Sequence, residues 1–352
     1  MPTSRGETRR RRAAAALIVV SGLATAAFRF LAASFNNDHF VHLIAARQML
    51  SGDWPTRDFL DVGRPLLIVA SAGAQWLLGP TLFAEAILVS IAFGLAAALT
   101  ALVVWVITRS LWAAGAAALI EVVAFPRTYA FPKLLALALG LLVIVQYIRT
   151  PTWTRQLLMA VGTAVGFLFR HDLGLYIGIG GLLASLVSGP RTALVRGARF
   201  AALCLALVAP YLAYVHVHAG LPNHFALGAG QYESEEGYVW PNPEVAYLAQ
   251  RPFAGGAYER YNFRSLPNQR RVLSWLRAER APFALIPSAS AREFENDAPL
   301  VAAYVQQRYA PLTEVPVDGE ERVVILLDRT LPIVSRDDET GWPCFTAHTS
   351  WP

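Results

Sequence analysis

Cysteine, lysine and charged residues in general are scarce in this sequence. Its two cysteines are Cys204, inside an apolar run, and Cys344, near the last residue. Two cysteines so far apart, in such different surroundings, predict neither a disulfide framework nor a metal cluster. The single lysine, Lys133, stands against 29 arginines, an imbalance that we attribute to coding bias. No phosphate-binding glycine loop, nucleophile elbow or zinc signature is present, so the enzyme classes built on those motifs gain no support.

The sequence is too apolar for an ordinary soluble domain. Of its 352 residues, 55% are hydrophobic and only 16% are charged, and the mean hydropathy is +0.40. Nearly all long apolar runs fall within residues 1–220, whereas residues 221–352 are polar, proline-rich and mixed in charge. This distribution predicts a membrane protein with a transmembrane region over 1–220 and a separate region over 221–352.

Apolar runs in the first region predict about seven membrane spans, since a span takes about 20 helical residues. The runs cover 13–33, 81–108, 111–125, 133–148, 156–169, 173–187 and 200–217. Two shorter segments, 39–50 and 66–78, are predicted to be helices lying at the outer surface. The first run follows a basic stretch, but its length favours a retained helix over a cleaved signal peptide.

The placement of arginine predicts the direction in which the chain crosses the membrane. One side of the predicted topology collects eleven arginines: Arg5, Arg9, Arg10, Arg11, Arg12, Arg109, Arg149, Arg155, Arg191, Arg196 and Arg199. The opposite turns after the first loop hold only Arg127, Lys133 and Arg170. By the positive-inside rule, the N-terminus is cytoplasmic and residues 34–65 form the first outer loop at the cell inner (plasma) membrane. Topology thus explains the net charge of +5, and no nucleic-acid partner is predicted.

The C-terminal region is predicted to be extracytoplasmic and to contain a small α/β unit. Residues 221–264 lack a sustained period, which predicts a loop. Helical spacing over 268–279 and 299–309 alternates with β-rich runs over 283–286 and 322–327, which places the α/β unit at 265–330. The predicted fold class is therefore mostly α, a polytopic membrane helical bundle followed by this α/β region.

The predicted outer loops collect acidic and basic side chains that suit transfer from a phosphate-activated donor. The candidates are Asp38, His39, Arg57, Asp58, Asp61, Arg64, Lys133, Arg170, His171 and Asp172. A carboxylate can accept a proton from a hydroxyl as a general base, and arginine can hold a phosphate through two parallel hydrogen bonds. Asp38, shortly after the first predicted span, is the best catalytic candidate, because ionisable residues at a membrane are commonly functional.

The order of several motifs is similar to that of a known family. Asp38 precedes an amphipathic helix, which is followed by GDWPTRDF at 52–59, GRPLL at 63–67 and LLGP at 77–80. Farther along are GFLFRHDLGL at 166–175, RVLSWLR at 271–277, FALIP at 283–287, QQRY at 306–309 and RVVILLDR at 322–329. This order resembles membrane glycosyltransferases of the GT-C superfamily, of the dolichyl-phosphate-mannose-protein mannosyltransferase and lipid A aminoarabinose transferase type.

The resemblance implies an enzyme that moves a sugar from a polyprenyl-phosphate donor to a hydroxyl of a lipid, glycan or protein acceptor. In that family the first-loop acid is the catalytic base, a role that would fall on Asp38, and we expect the other candidates to bind substrate. The chain has fewer predicted membrane helices than the family usually has. No cofactor is predicted. A divalent metal would suit the loop acids, but no motif in the sequence supports one.

Most candidates also have a structural interpretation. Asp38 could cap the helix that begins near His39, and Asp172 could cap the helix that follows it. Asp58 and Asp61 could be solvated loop acids or a helix cap. Arg57 and Arg64 could contact lipid headgroups, and Lys133 could anchor the outer start of a span. Two further functions therefore stay open. One is a non-catalytic accessory or scaffold protein derived from this fold, and the other is a transporter, which the lack of paired broken helices disfavours.

Overall fold

The chain folds into two compact units, each built from two separate segments. A computed structural model describes residues 4–35, 37–61, 63–124, 127–187, 192–230, 263, 265–279, 281, 283–288, 291–318, 321–336 and 341–345. Unit 1 comprises Met1–Met49 and Asp61–Phe225, and unit 2 comprises Leu50–Leu60 and Ala226–Pro352. The described residues are mostly helical, and strands occur only in unit 2 among them.

Unit 1 is built from helices that follow one another along the chain. They are α1 (Ser4–Leu31), α2 (Asn37–Leu50), α3 (Pro65–Leu78), α4 (Leu82–Thr108), α5 (Leu111–Val123), α6 (Phe131–Arg149), α7 (Trp153–Phe169), α8 (His171–Val187), α9 (Ala193–Ala219) and α10 (Leu221–Gly230), which begins in this unit. A 3₁₀ turn, Thr128–Ala130, precedes α6. The described part of the predicted loop 221–264 is therefore helical over Leu221–Gly230, and residues 231–262 lie outside the described residues.

Among the described residues of unit 1, four helices are long and apolar enough to cross a membrane. They are Gly6–Leu31 within α1, α4, α6 and α9. The prediction of about seven spans is not confirmed, because α5 has only 13 residues and α7 and α8 have 17 each. A helix of 17 residues rises about 26 Å, less than the ~30 Å hydrocarbon core. The chain breaks at Arg170 between α7 and α8, which is the tight turn that the sequence predicted.

Helices α1 and α4 approach one another through facing glycines. A Cβ added to Gly94 would lie 2.7 Å from the carbonyl oxygen of Gly22, and one added to Gly22 would lie 3.1 Å from the carbonyl oxygen of Gly94. Such contacts require residues without side chains, and small residues are the usual means by which membrane helices pack closely. The outer faces of these helices carry exposed apolar residues, including Val19, Leu23 and Leu95.

Helix α2, the first of the two segments predicted to lie at the outer membrane surface, is buried within unit 1. All residues from His39 to Ala46 have little exposed surface. Eight residues make about two helical turns, so every face of this part of the helix is covered. Leu43 and Ala46 have no exposed surface. The polar side chains of His39 and His42 are buried as well, so α2 is a core helix of unit 1. Helix α3 occupies the second predicted surface segment.

From residue 263 onward, the described part of unit 2 contains three helices and two small antiparallel sheets. Its elements are α11 (Leu266–Glu279), β1 (Phe283–Pro287), α12 (Ala291–Asp297), α13 (Pro299–Arg308), β2 (Tyr309–Asp318), β3 (Glu321–Asp328), β4 (Ile333–Arg336) and β5 (Pro343–Phe345). The strands pair in the order β1-β3-β2, and β4 pairs with β5. The four predicted elements are confirmed as α11, β1, α13 and β3. The sequence missed α12, β2, β4 and β5.

A piece of the first predicted loop belongs to the core of unit 2. Leu60 is buried with Phe263 of the same unit and with Val272 on α11 and Val301 on α13. The guanidinium of Arg271 donates a hydrogen bond to the carbonyl oxygen of Thr56. The sequence assigned all of 34–65 to the transmembrane region, whereas Leu50–Leu60 packs with the C-terminal chain.

An acid-sensitive ion pair holds the end of β3. The buried Asp328 accepts hydrogen bonds from Nε of Arg308 at 2.7 Å and from the backbone and hydroxyl of Thr330 at 2.8 and 2.7 Å. Burial opposes the charge on Asp328, but the bonds from Thr330 and Arg308 outweigh burial, so its pKa lies below the ordinary 3.8. The stabilisation is complete above that value and is lost as pH falls through the lowered pKa.

We expect Asp328→Asn to lower the apparent Tm at pH 7 and to reduce the further loss between pH 4 and pH 2. Circular dichroism of the full chain during acid titration measures both. Glu314→Gln is the control, because Glu314 pairs with Arg322 at an exposed site, where an ion pair contributes little. An equal effect of both substitutions would contradict the role given to Asp328.

Candidate functional site

Asp38 lies in the first turn of α2, and the residue after it makes a buried contact with an acidic side chain. Nε2 of His39 lies 2.8 Å from Oε1 of Glu85, and neither side chain has exposed surface. The hydroxyl of Ser71 donates to the same carboxylate oxygen at 3.1 Å. The pair joins the start of α2 to α3 and to the first turn of α4. The side chain of Asp38 itself lies outside the described residues.

Asp61 begins a second buried group, just before α3. Its Oδ1 accepts hydrogen bonds from the backbone N–H groups of Gly63 and Arg64 at 3.1 and 3.0 Å. Its Oδ2 is buried and has no hydrogen-bond partner among the described residues. Nη1 of Arg64 lies 3.4 Å from Nε2 of His42, one helical turn after Asp38 on α2. A carboxylate, a guanidinium and an imidazole therefore meet where α2 and α3 are joined.

Burial shifts the proton affinities of this group in the direction of neutral forms. Burial lowers the pKa of His42 well below 6.5, and the charges of Arg64 and His39 lower it further. His42 is thus neutral at pH 7, so its Nε2 can accept a hydrogen bond from Arg64. Burial raises the pKa of Asp61, although the charges of His224 and Arg64 and the two backbone bonds act against that rise. Such a carboxyl can exchange protons closer to neutral pH than an ordinary aspartate.

Gly63 brings this group against the start of α8. Its φ is +90°, and a Cβ built on it would lie 2.1 Å from Cε1 of the His171 ring. Only a residue without a side chain fits between Asp61 and the imidazole. The first residue of GRPLL must therefore be glycine because of a contact that the sequence alone did not reveal.

We expect Gly63→Ala to lower the apparent Tm of the full chain far more than Gly79→Ala does. Both glycines lie in unit 1 with nearly equal φ, 90° and 89°, so both alanines carry the backbone cost of about 1–2 kcal/mol. Only Gly63 faces a ring, whereas nothing lies within 4 Å of the Cβ position of Gly79. The clash adds about 1–3 kcal/mol. Equal Tm losses, measured by thermal unfolding in detergent, would refute the contact with His171.

His171 belongs to a chain of polar rings on α8, α9 and α10. The hydroxyl of Tyr211 lies 3.3 Å from Nε2 of His171 and 3.2 Å from Nε2 of His224. Because the hydroxyl has one proton, it donates to one imidazole and accepts from the other. The ring of His171 stacks on Phe167 at 4.5 Å and also faces Phe225 at 5.1 Å. Through His224, whose charge acts on Asp61, this chain reaches the group before α3.

Arg170 and Asp172 form a two-pronged ion pair on either side of His171. Nε of Arg170 donates to Oδ1 of Asp172 at 2.6 Å, and Nη2 donates to Oδ2. Oδ1 also accepts the backbone N–H of Leu173 at 2.9 Å. Asp172 thus lies within the first turn of α8, which begins at His171, so it is not the residue before the helix that the capping interpretation expected. Lys133 stands in the first turn of α6 and is half-buried.

Arg57 and Asp58 belong to unit 2, whereas the other candidates belong to unit 1. Arg57 donates from Nε and Nη2 to Oδ2 of Asp58 at 2.8 and 2.6 Å. The backbone N–H of Trp54 donates to the same oxygen at 2.7 Å. These contacts shape the turn of Leu50–Leu60, in which Thr56 has a φ of 70°.

Within unit 1 the structure brings His39, Asp61, Arg64 and His171 to one end of the helices. The hydroxyl of Thr128 also bonds to the carbonyl of Ser34 there, so the turn after α5 meets the end of α1. Sequence reasoning did not include His42, Glu85, Tyr211 and His224 among the site residues. Glu85 stands out in the sequence as an acid inside an apolar run, whereas nothing local marks Tyr211. Among the described residues, no three His, Cys, Asp or Glu side chains are arranged to hold a metal ion.

Comparisons of the chain with protein-family models, with curated proteins and with solved structures return no match. The interpretation of the site therefore rests on its residues and their geometry.

Proposed function

We propose that the chain is a membrane glycosyltransferase. It would move a sugar from a polyprenyl-phosphate donor to a hydroxyl of a lipid, glycan or protein acceptor at the outer face of the plasma membrane. The observation that carries this proposal is the buried group of Asp61, Arg64 and His42 beside the start of α2, where Asp38 stands. It supplies a guanidinium for a phosphate and acid–base groups for a hydroxyl at one end of apolar helices.

The proposed reaction inverts the configuration of the sugar. The carboxylate of Asp38 takes the proton of the acceptor hydroxyl as the oxygen forms a bond to the anomeric carbon. The bond from that carbon to the donor phosphate breaks, and polyprenyl phosphate leaves with the electron pair. Arg64 would stabilise the added negative charge on the phosphate. His42, neutral and bonded to Arg64, would hold the guanidinium in place.

The membrane arrangement in this proposal keeps the predicted topology. About seven segments would cross or enter the bilayer, the shorter helices α5, α7 and α8 among them. The N-terminus would be cytoplasmic, and unit 2 would lie outside the cell. The crossing of a membrane is supported by the four apolar helices of spanning length. The cytoplasmic N-terminus is supported by the arginines near the start of α1.

We expect Arg64→Gln to raise KM for the lipid-phosphate donor and lower kcat/KM by about tenfold to a hundredfold, the cost of one charge-assisted hydrogen bond to a phosphate. Arg57→Gln is the matched control, since Arg57 is paired with Asp58 in unit 2 and should change kcat/KM by less than about threefold. Transfer of radiolabelled sugar in membranes measures both values. A larger loss with Arg57→Gln would move the phosphate contact away from Arg64.

The second candidate is a non-catalytic scaffold. It is favoured by the number of charged side chains that are paired within the chain, such as Arg170 with Asp172 and His39 with Glu85. A scaffold would show no transfer in wild type, while Arg64→Gln would affect only stability.

A further inference from the structure

A cluster of unpaired guanidinium groups lies at the start of α1, far in sequence from the site described above. Arg9, Arg10, Arg12 and Arg109 are exposed, and none of them pairs with a carboxylate among the described residues. Glu7, the acid nearest to them in the sequence, is bound to Arg11 at 2.5 Å. Like charges held together without a counter-ion attract an anion.

Two of these arginines are held on one indole ring. The guanidinium carbon of Arg10 lies 5.6 Å from the centre of the Trp105 ring, and that of Arg109 lies 5.9 Å from it. Arg10 also donates a hydrogen bond to the carbonyl oxygen of Arg109, which ends α4 with a φ of 56°. Stacking on the indole holds the two guanidinium groups in place without neutralising their charges. Two charged groups, each able to donate paired hydrogen bonds, therefore lie beside each other.

The two guanidinium groups lie at the ends of helices of spanning length, where lipid headgroups are expected. Arg10 precedes the apolar part of α1, and Arg109 follows the last residue of α4, both helices of spanning length. Three residues later, Trp112 on α5 is 91% exposed. Tryptophan and arginine at the ends of spans are typical of the membrane interface, where the partner at hand is a lipid phosphate.

We propose that Arg10 and Arg109, fixed on Trp105, form a binding site for the phosphate diester of an anionic phospholipid. Each guanidinium donates to a non-bridging phosphate oxygen, and Trp112 lies against the acyl chains. The site is independent of the proposed glycosyl transfer, because none of its residues belongs to the polar group at the start of α2.

The test is a titration of the purified full chain, in a neutral detergent, with phosphatidylglycerol. Bound lipid is counted by native mass spectrometry and confirmed by the rise in apparent Tm. We expect saturable binding, which Arg109→Gln weakens about tenfold or more, as for one lost charge-assisted bond. This substitution leaves the carbonyl that accepts from Arg10 in place. Arg10→Gln should weaken binding as well.

The matched control is Arg9→Gln, which removes the same charge from the same helix end, away from Trp105. We expect it to weaken binding by less than about threefold, since a neutral micelle has no anionic surface for remote charges. Equal losses with Arg9→Gln and Arg109→Gln would overturn the site in favour of diffuse surface charge. Inorganic phosphate at the same concentration should not compete. Full competition by phosphate would show a free-anion site and would also overturn the proposal.

Discussion

Asp38→Asn is expected to slow sugar transfer by about a hundredfold to ten-thousandfold, the range over which a general base accelerates proton transfer. Asparagine keeps the size of the side chain and its ability to cap α2, but its neutral amide cannot take the proton from the substrate hydroxyl. Donor KM should change little, because the phosphate contact belongs to Arg64 in the proposed reaction. Single-turnover transfer in membranes, with the protein in excess over the labelled donor, measures the chemical step.

The control for that experiment is Asp53→Asn. Asp53 belongs to the same predicted first loop, but it lies in Leu50–Leu60 of unit 2, where burial and the nearby Asp58 raise its pKa. We expect its rate to stay within about threefold of wild type, as is usual for substitution of a partly exposed side chain. Wild-type rates with Asp38→Asn would remove that carboxylate from the reaction and leave Asp61 as the acid to test.

Breaking the ion pair between His39 and Glu85 is expected to have the largest effect on stability. His39→Leu leaves a buried carboxylate with only Ser71 as a described hydrogen-bond partner, and loss of one partner in a buried pair costs about 3–5 kcal/mol. Glu85→Leu leaves the buried Nε2 of His39 without its described partner. Each should lower the apparent Tm of the full chain in detergent.

The double variant His39→Leu/Glu85→Leu separates pairing from packing. Apolar replacement of both partners in a buried pair is often neutral or stabilising, so its Tm should lie close to that of wild type. The coupling energy from the double-mutant cycle should then be several kcal/mol. Additive losses would mean that the two side chains contribute independently, and that the pair does not fix the start of α2.

Sequence periodicity found most helices because a long apolar stretch has few alternatives to a helix. The burial of α2 within unit 1 had no such signal. His39 has a partner in Glu85 on α4, and His42 has one in Arg64, the residue directly before α3. Partners so distant in sequence leave no local signal, and the same is true of Tyr211 between two histidines.

The misassigned parts of unit 2 have a similar cause. Strand β2 contains Pro311 and Pro316, which argue against a strand. The sheet order places β2 at an edge, where one side needs no hydrogen bonds and proline is tolerated. Leu60 joins a core made by residues more than 200 positions later in the chain, and no pattern within the first loop predicts that contact.

Transfer by the wild-type chain tests the central proposal most directly. The purified full-length protein would be reconstituted in liposomes with a radiolabelled polyprenyl-phosphate sugar and a membrane extract as the source of acceptors. We expect label to leave the donor, with release of polyprenyl phosphate that depends on the acceptor and falls with Asp38→Asn. If a panel of such donors stays intact while the same sample unfolds cooperatively on heating, the chain is a folded protein without transferase activity, and the proposal is contradicted.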